Sequence, residues 1–305
     1  MTQILQPQVD CSTALEFLDA LSPLGKYFKD AEFSKPWLFR GQGRDQPLIP
    51  SLFREHVNLP RLKYHDIIGD PDRRCVERDI LIRFFEIADK RGLIVPDDSQ
   101  ELRSFLETTK SQRGDQFVLL GYQEWQLYRN ALSLTALAQH YGLPTRLLDW
   151  TRQSYTAAFF AAESAFYHGN KTSDSMVVWA FYFPFLGKHD NLAKANDPVI
   201  IVTAPSASNP NLKAQQGVFT LLNSRHTVDS KNIYQTMDNV LECIAKDDPD
   251  KLGVDCRLRK FILPASEATN LLYHLAKLDI TPSAVYPGYN NIVKDMDMEY
   301  AFAKL

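Results

Sequence analysis

The sequence predicts an α+β fold, with a helical N-terminal half followed by a mixed or antiparallel sheet. Between residues 73 and 138, apolar side chains recur at helical spacing over most of the length. After residue 175 the pattern changes to short β-branched and aromatic runs, SMVVWAFYF and PVIIVTAP. Because the helices precede most of the strands, α+β is favoured over an alternating doubly wound sheet.

Composition narrows the functional classes. The chain has 305 residues, of which 45% are apolar and 23% are charged, as in an ordinary globular protein. A net charge of −3 does not indicate nucleic acid as a partner. The four cysteines show no metal-ligand spacing and no disulfide framework, so we expect no metal and a reducing compartment. The sequence shows no signal peptide and no membrane-spanning run, which favours a cytoplasmic protein without a membrane partner.

The first elements are a helix and a strand. Residues 10–30 carry apolar side chains at helical spacing and predict a lead-in helix. A short apolar strand at residues 37–39 then leads into Arg40, Gly41 and Gln42. An arginine fork suits a phosphate, and glycine allows a ligand to approach the backbone. Arg40 and Gln42 are therefore candidate ligand-binding residues, although Arg40 could equally bond a carboxylate such as Asp149.

The helical tract that begins at residue 73 carries several charges near its start. We expect these side chains to lie on solvated helix faces. They are Arg73, Arg74, Glu77, Arg78 and Asp79.

The segment 139–151, QHYGLPTRLLDWT, contains the densest group of polar and aromatic residues. Gly142 ends the preceding helix, which places His140 at a helix C-terminus where a protonated imidazole is favoured. Arg146 and Asp149 follow, either as a buried pair that fixes a turn or as site residues. A buried helix rich in alanine and phenylalanine comes next. We predict that Arg40, His140, Arg146 and Asp149 converge in one cleft.

The remaining elements are mostly strands. Gln215 and Gln216 precede Gly217 and an apolar strand at 218–222. The run LRKFILP predicts a further strand, which leads into the helix SEATNLLYHLAKL and a last helix after a Pro-Gly turn. The sequence contains no GxSxG, P-loop, HExxH or GxGxxG signature of a familiar enzyme.

Three blocks carry a family resemblance. They are FRG at 39–41 with PSLFR at 50–54, AQHYGLPTRLLDWT at 138–151 with AAFFA, and NPNLKAQQGVFT at 209–220. Together they resemble the FRG domain, a bacterial family. The resemblance implies one elaborated domain over residues 1–305, with a lead-in helix at 1–30, an FRG core at 31–292 and a C-terminal tail at 293–305.

The order of the blocks is also similar to ADP-ribosyltransferases of the Arg-Ser-Glu type. Arg40 comes first, Asp149, Trp150 and Thr151 precede the AAFFA helix, and Gln215 and Gln216 precede a late strand. This resemblance implies an ADP-ribosyltransferase-like core and NAD as the cofactor. A glutamine stands where those enzymes carry the catalytic glutamate, which leaves Asp149 as the available carboxylate.

Two functions follow. The first is a nucleotide-directed enzyme that performs NAD-dependent ADP-ribosyl transfer or NAD hydrolysis. In that enzyme, His140 and Asp149 are the catalytic residues. The binding residues are Arg40 on a phosphate, Trp150 stacked on a ring, and Gln42, Arg146, Thr151, Gln215 and Gln216. The alternative is a non-catalytic sensor module that binds a nucleotide or a protein partner, as a bacterial stress or phage-defence component or a toxin.

Overall fold

A computed structural model describes residues 6–28, 37–55, 73–110, 122–168, 174–182, 199–203, 210–222, 236–247 and 257–305. The strands are β1 (Val9–Asp10), β2 (Leu38–Gln42), β3 (Leu147–Thr151), β4 (Ser175–Tyr182), β5 (Val199–Val202), β6 (Gly217–Leu222) and β7 (Arg257–Pro264). The helices are α1 (Ala14–Leu21), α2 (Arg73–Lys90), α3 (Gln100–Lys110), α4 (Tyr122–His140), α5 (Ser154–Tyr167), α6 (Pro210–Gln215), α7 (Met237–Asp247), α8 (Ala268–Ala276), α9 (Pro282–Val285) and α10 (Tyr289–Phe302). The predicted α+β class is confirmed.

The seven strands of the described residues belong to one mixed sheet. Its order is β1-β7-β4-β2-β3-β6-β5, and β1 and β7 form its parallel pair while the other neighbours are antiparallel. Strand β2 pairs with β4 at five positions, whereas β2 and β3 share the single pair Phe39↔Thr151. Beyond that pair the two central strands separate. A gap therefore opens in the middle of the sheet, beside Arg40.

The two faces of the sheet are buried by different elements. On one face, Phe39, Val178 and Phe261 belong to a core that includes residues of α1, α5 and α8. On the other face, Leu38 and Trp179 pack with residues of α7. Helices α2, α3 and α4 form a further apolar cluster of their own. None of the helices in the described ranges is long and apolar enough to cross a membrane.

The predicted start of α1 and the predicted end of α4 agree with the structure, whereas α1 ends at Leu21, earlier than predicted. Thr13 and Glu16 form a capping box at the start of α1, which fixes the predicted lead-in helix. Helix α4 ends at His140, as predicted, and Gly142 follows with a φ of +87°. This left-handed conformation favours glycine and lets the last carbonyls of the helix accept hydrogen bonds from the turn.

Gly41 is required by packing against α5. A Cβ atom at this position would overlap the carbonyl oxygen of Ala157 and lie 2.8 Å from the amide nitrogen of Ala161. The alanines of α5 therefore face a strand that approaches the helix backbone closely. This packing role is separate from the expectation that Gly41 opens the backbone to a ligand, which stays a prediction. Arg40 lies within β2 and not at its end.

The charges near the start of α2 divide into two groups. Asp79 is partly exposed, but Glu77 and Arg78 are buried. The prediction that this helix presents only solvated charges is therefore wrong for Glu77 and Arg78. Periodicity cannot show this for Glu77, because the partner that compensates its charge comes from a distant segment. Arg78 pairs with its neighbour Asp79.

We predict that Gly41→Ala destabilises the protein by about 1–3 kcal/mol or more, because the new methyl group collides with the backbone of α5 and not with a flexible side chain. Urea denaturation measures this change in the free energy of unfolding. Gly142→Asn is the matched control, since a Cβ atom there meets nothing within 4 Å and asparagine tolerates a positive φ. Equal stability of the two variants would contradict the packing role.

Candidate functional site

The side chain of Arg40 spans the gap between the two central strands. Its Nη1 donates a hydrogen bond of 2.7 Å to the carbonyl oxygen of Asp149 and lies 3.5 Å from Asp149 Oδ2. Asp149 Oδ1 accepts a hydrogen bond of 2.5 Å from Nε2 of Gln139, which lies in the last turn of α4. Gln139 Oε1 accepts in turn from the hydroxyl of Thr145. A chain of polar contacts therefore connects β2 to β3 and to the end of α4.

Two clefts adjoin this contact. The first, called here the arginine cleft, has a volume of about 360 Å³, and its lining includes Ser51, Arg54 and Leu143. The second, called here the aromatic cleft, has a volume of about 300 Å³, and its lining includes Phe160, Gln215 and Tyr286. Arg40 and Asp149 line both. The pair therefore marks the junction of the two clefts.

Arg40 is a partly buried cation whose charge is only partly compensated. Its side chain is 13% exposed, and no described residue accepts a hydrogen bond from its Nε. Burial lowers the pKa of the Arg40 guanidinium, Asp149 partly offsets this effect, and the charge of Arg54 lowers the pKa further. The group nevertheless stays protonated at neutral pH. An anion at the junction would supply the missing compensation.

An aromatic pair forms part of the wall of the aromatic cleft. The rings of Phe160 and Tyr286 have centroids 5.8 Å apart. The Tyr286 hydroxyl donates to Glu163 Oε2 at 3.1 Å, and Lys294 Nζ lies 3.0 Å from Oε1 of the same carboxylate. Burial, followed by the charge of Glu163, raises the pKa of the Tyr286 phenol above its ordinary value. The ring therefore stays neutral and fixed by its hydroxyl.

The sequence interpretation did not identify Phe160, Glu163 or Tyr286 as site residues. Phe160 lies in the AAFFA block, where the helical pattern indicated only a buried position. Tyr286 directly precedes the Pro-Gly turn that was noted near the C-terminus. An aromatic residue beside a turn is a signal for an exposed ring, but it does not show which cleft the ring lines.

Arg146 has a structural role. Its backbone N–H donates to Glu77 Oε1 and its Nε donates to Glu77 Oε2, both at 2.7 Å. The two side chains are 2% and 1% exposed. Arg146 thus forms a buried pair, as one of the two sequence interpretations expected, but its partner is Glu77 and not Asp149.

Trp150 and Thr151 border the aromatic cleft from the core side. Trp150 is 3% exposed, and its indole N–H donates to Thr220 Oγ1 at 2.9 Å. The Thr151 hydroxyl donates to the carbonyl oxygen of Gln215 at 2.6 Å. Both side chains are held by internal hydrogen bonds, and the indole ring is packed within the apolar core of the sheet. Stacking of a ligand ring on Trp150 stays a prediction, and it would require the apolar core to open.

Of the other predicted site residues, Gln215 lines a cleft and the rest do not. Gln215 lines the aromatic cleft, whereas Gln216 is exposed with a φ of +47° and is not part of either lining. Gln42 Oε1 accepts from the Trp179 indole at 3.0 Å. His140 is exposed and its ring lies 5.2 Å from that of Tyr141.

Among the described residues that line the two clefts, neither Gln42 nor His140 is present. The prediction that four side chains converge is therefore confirmed for Arg40 and Asp149. It is wrong for His140 and Arg146, because the first lies on the surface at the end of α4 and the second is buried against α2.

Comparison with known proteins supports one of the two resemblances. Residues 35–169 match the FRG domain model. This range contains the first two of the three blocks, and its limits are narrower than the predicted core at 31–292. No curated protein and no solved structure matches the chain. The ADP-ribosyltransferase-like core therefore stays a prediction.

We predict that Glu77→Gln lowers the free energy of unfolding by about 3–5 kcal/mol, because it removes the charge of a buried carboxylate that pairs with the buried guanidinium of Arg146. Urea denaturation provides the measurement. Glu86→Gln, in the same helix, is the control: Glu86 pairs with Lys110 at a partly exposed position, where a change below about 1 kcal/mol is expected. A loss at Glu77 no larger than the loss at Glu86 would refute the buried-pair assignment.

Proposed function

We propose, from the FRG match over residues 35–169 and the two clefts that meet at Arg40, that the protein binds a phosphorylated nucleotide. The partly compensated charge of Arg40 is the observation that carries this proposal. A phosphate offers several oxygen acceptors and a negative charge to a guanidinium fork. The charge and hydrogen-bonding capacity of Arg40 are therefore matched by one ligand group.

The two clefts suit different parts of a nucleotide. The arginine cleft contributes the second cation, Arg54, so phosphate fits there. The aromatic cleft contributes Phe160 and Tyr286, whose rings favour contact with a planar base. A dinucleotide such as NAD, in which a pyrophosphate joins two nucleosides, matches two clefts that share one arginine.

Chemistry on NAD is the second candidate function, and the position of Asp149 favours it. The Asp149 side chain is 59% exposed at the junction of the two clefts. A carboxylate there could stabilise the positive charge that develops on a ribosyl carbon during ADP-ribosyl transfer or NAD hydrolysis. Nucleotide binding without catalysis requires no proton-transfer residue. The geometry supports binding better than catalysis because His140 lies outside both clefts. A sensor in bacterial stress or phage defence requires binding alone.

We predict that Arg40→Gln weakens nucleotide binding about 10- to 100-fold, the range expected when one charged hydrogen-bond donor is lost. Isothermal titration calorimetry with ADP and with NAD measures the affinity, and circular dichroism checks that the fold is retained. Lys260→Gln is the control, since Lys260 pairs with Asp45 and lines neither cleft. An Arg40→Gln protein that binds both ligands as tightly as the wild type would contradict the proposed site.

For the catalytic candidate, we predict that Asp149→Asn lowers NAD consumption at least about 100-fold while binding is retained, because the change keeps the shape and removes the charge. Consumption is measured with and without cell extract, which serves as a source of acceptor. A wild-type protein that consumes no NAD in either assay would refute the catalytic candidate and leave nucleotide binding unaffected.

A further inference from the structure

We infer that the aromatic cleft selects a nucleotide whose ring carries an exocyclic amine, as in adenine or cytosine, over one that carries a carbonyl group at that position. This inference rests on the proposed nucleotide binding and adds the chemistry by which the ring is recognised. Some hydrogen-bonding groups of the cleft already have internal partners, and others can still bond a ligand. The inference follows from the difference between these two sets.

Three side-chain donors at the wall of the cleft are committed to internal partners. The Thr151 hydroxyl donates to the carbonyl oxygen of Gln215 at 2.6 Å. The Tyr286 hydroxyl donates to Glu163 at 3.1 Å. The indole N–H of Trp150 donates to a buried threonine at 2.9 Å. A carbonyl group on the ligand ring would therefore compete with internal acceptors for these protons.

Two side-chain acceptors can take further hydrogen bonds. The carboxylate of Asp149 already accepts from Gln139 and pairs with Arg40, but its side chain is 59% exposed and an ionised carboxylate has about four acceptor sites and no donor. The amide of Gln215 donates one N–H to the carbonyl oxygen of Val285 at 3.3 Å, which anchors its head group. No described residue donates to its Oε1, and none accepts from its second N–H. Asp149 and Gln215 Oε1 together accept more hydrogen bonds than this single N–H donates, which favours a ring edge with more N–H groups.

The guanidinium of Arg40 is the charged donor that lines the cleft, and it lies at the junction with the arginine cleft. In the proposed binding mode it engages phosphate. Asp149, beside Arg40 at the junction, and Gln215, in the wall of the cleft, then remain as the acceptors for the ring. An exocyclic amine supplies two N–H groups to such acceptors. The deaminated ring supplies one ring N–H, and its carbonyl oxygen cannot pair with a carboxylate.

Matched nucleotide pairs that differ by deamination test this inference. Calorimetric titration compares ADP with IDP and CDP with UDP on the intact protein. We expect the amino member of each pair to bind about tenfold more tightly, since a site built to pair with a donor discriminates against an analogue that lacks it. Gln215→Met keeps the side-chain length and removes the acceptor. We expect it to reduce the preference to about threefold or less while the affinity for inorganic pyrophosphate is retained.

Gln216→Asn is the matched control, because Gln216 neighbours Gln215 in the chain, lines neither cleft and has a positive φ that asparagine tolerates. Equal or reversed affinity within both pairs would overturn the selection and leave nucleotide binding standing. An equal loss of preference in the Gln216→Asn and Gln215→Met proteins would also overturn it. Failure of all four nucleotides to bind the wild type would overturn the proposed function together with this inference.

Discussion

The close contact between Gly41 and the backbone of α5 determines where the site is built. Because side chains alternate along a strand, a glycine that faces the helix places Arg40 on the opposite side of β2. Strand β2 is held by this helix and by five paired positions with β4, but by one pair with β3. The strand therefore follows its stronger neighbours and separates from β3, and Arg40 crosses the gap that results.

The sequence predicted most of the helices and strands and the contact between Arg40 and Asp149. Helical and strand periods gave the α+β class, and Gly142 marked the end of α4. The pairing of Arg40 with Asp149 could be proposed because each residue lies beside a point where the pattern of apolar residues changes. The partner of Arg146 could not be found in this way. Glu77 lies 69 positions earlier in a helix whose charges resemble a solvated surface, so only the folded chain brings the pair together.

The alternation of side chains along β3 predicts which residues are buried, and the sequence interpretation did not use it. Leu148 and Trp150 face one side of the sheet and belong to the same core cluster. Asp149 stands between them and is exposed. Period-two alternation in LLDWT therefore predicts a buried tryptophan and a presented aspartate. The choice of Trp150 as a stacking ring followed residue type, whereas its burial follows from its position in the strand.

Helix α5 contacts both the strand that carries Arg40 and the aromatic wall of the site. Its Ala157 and Ala161 fix the strand that carries Arg40, and Phe160 lies in the wall of the aromatic cleft. One turn further along, Glu163 accepts the hydroxyl proton of Tyr286 and thereby fixes the second ring. The cation and the aromatic wall are therefore positioned by one rigid element. A nucleotide that contacts both would find these groups already ordered, and pre-organisation of this kind reduces the entropy that binding must offset.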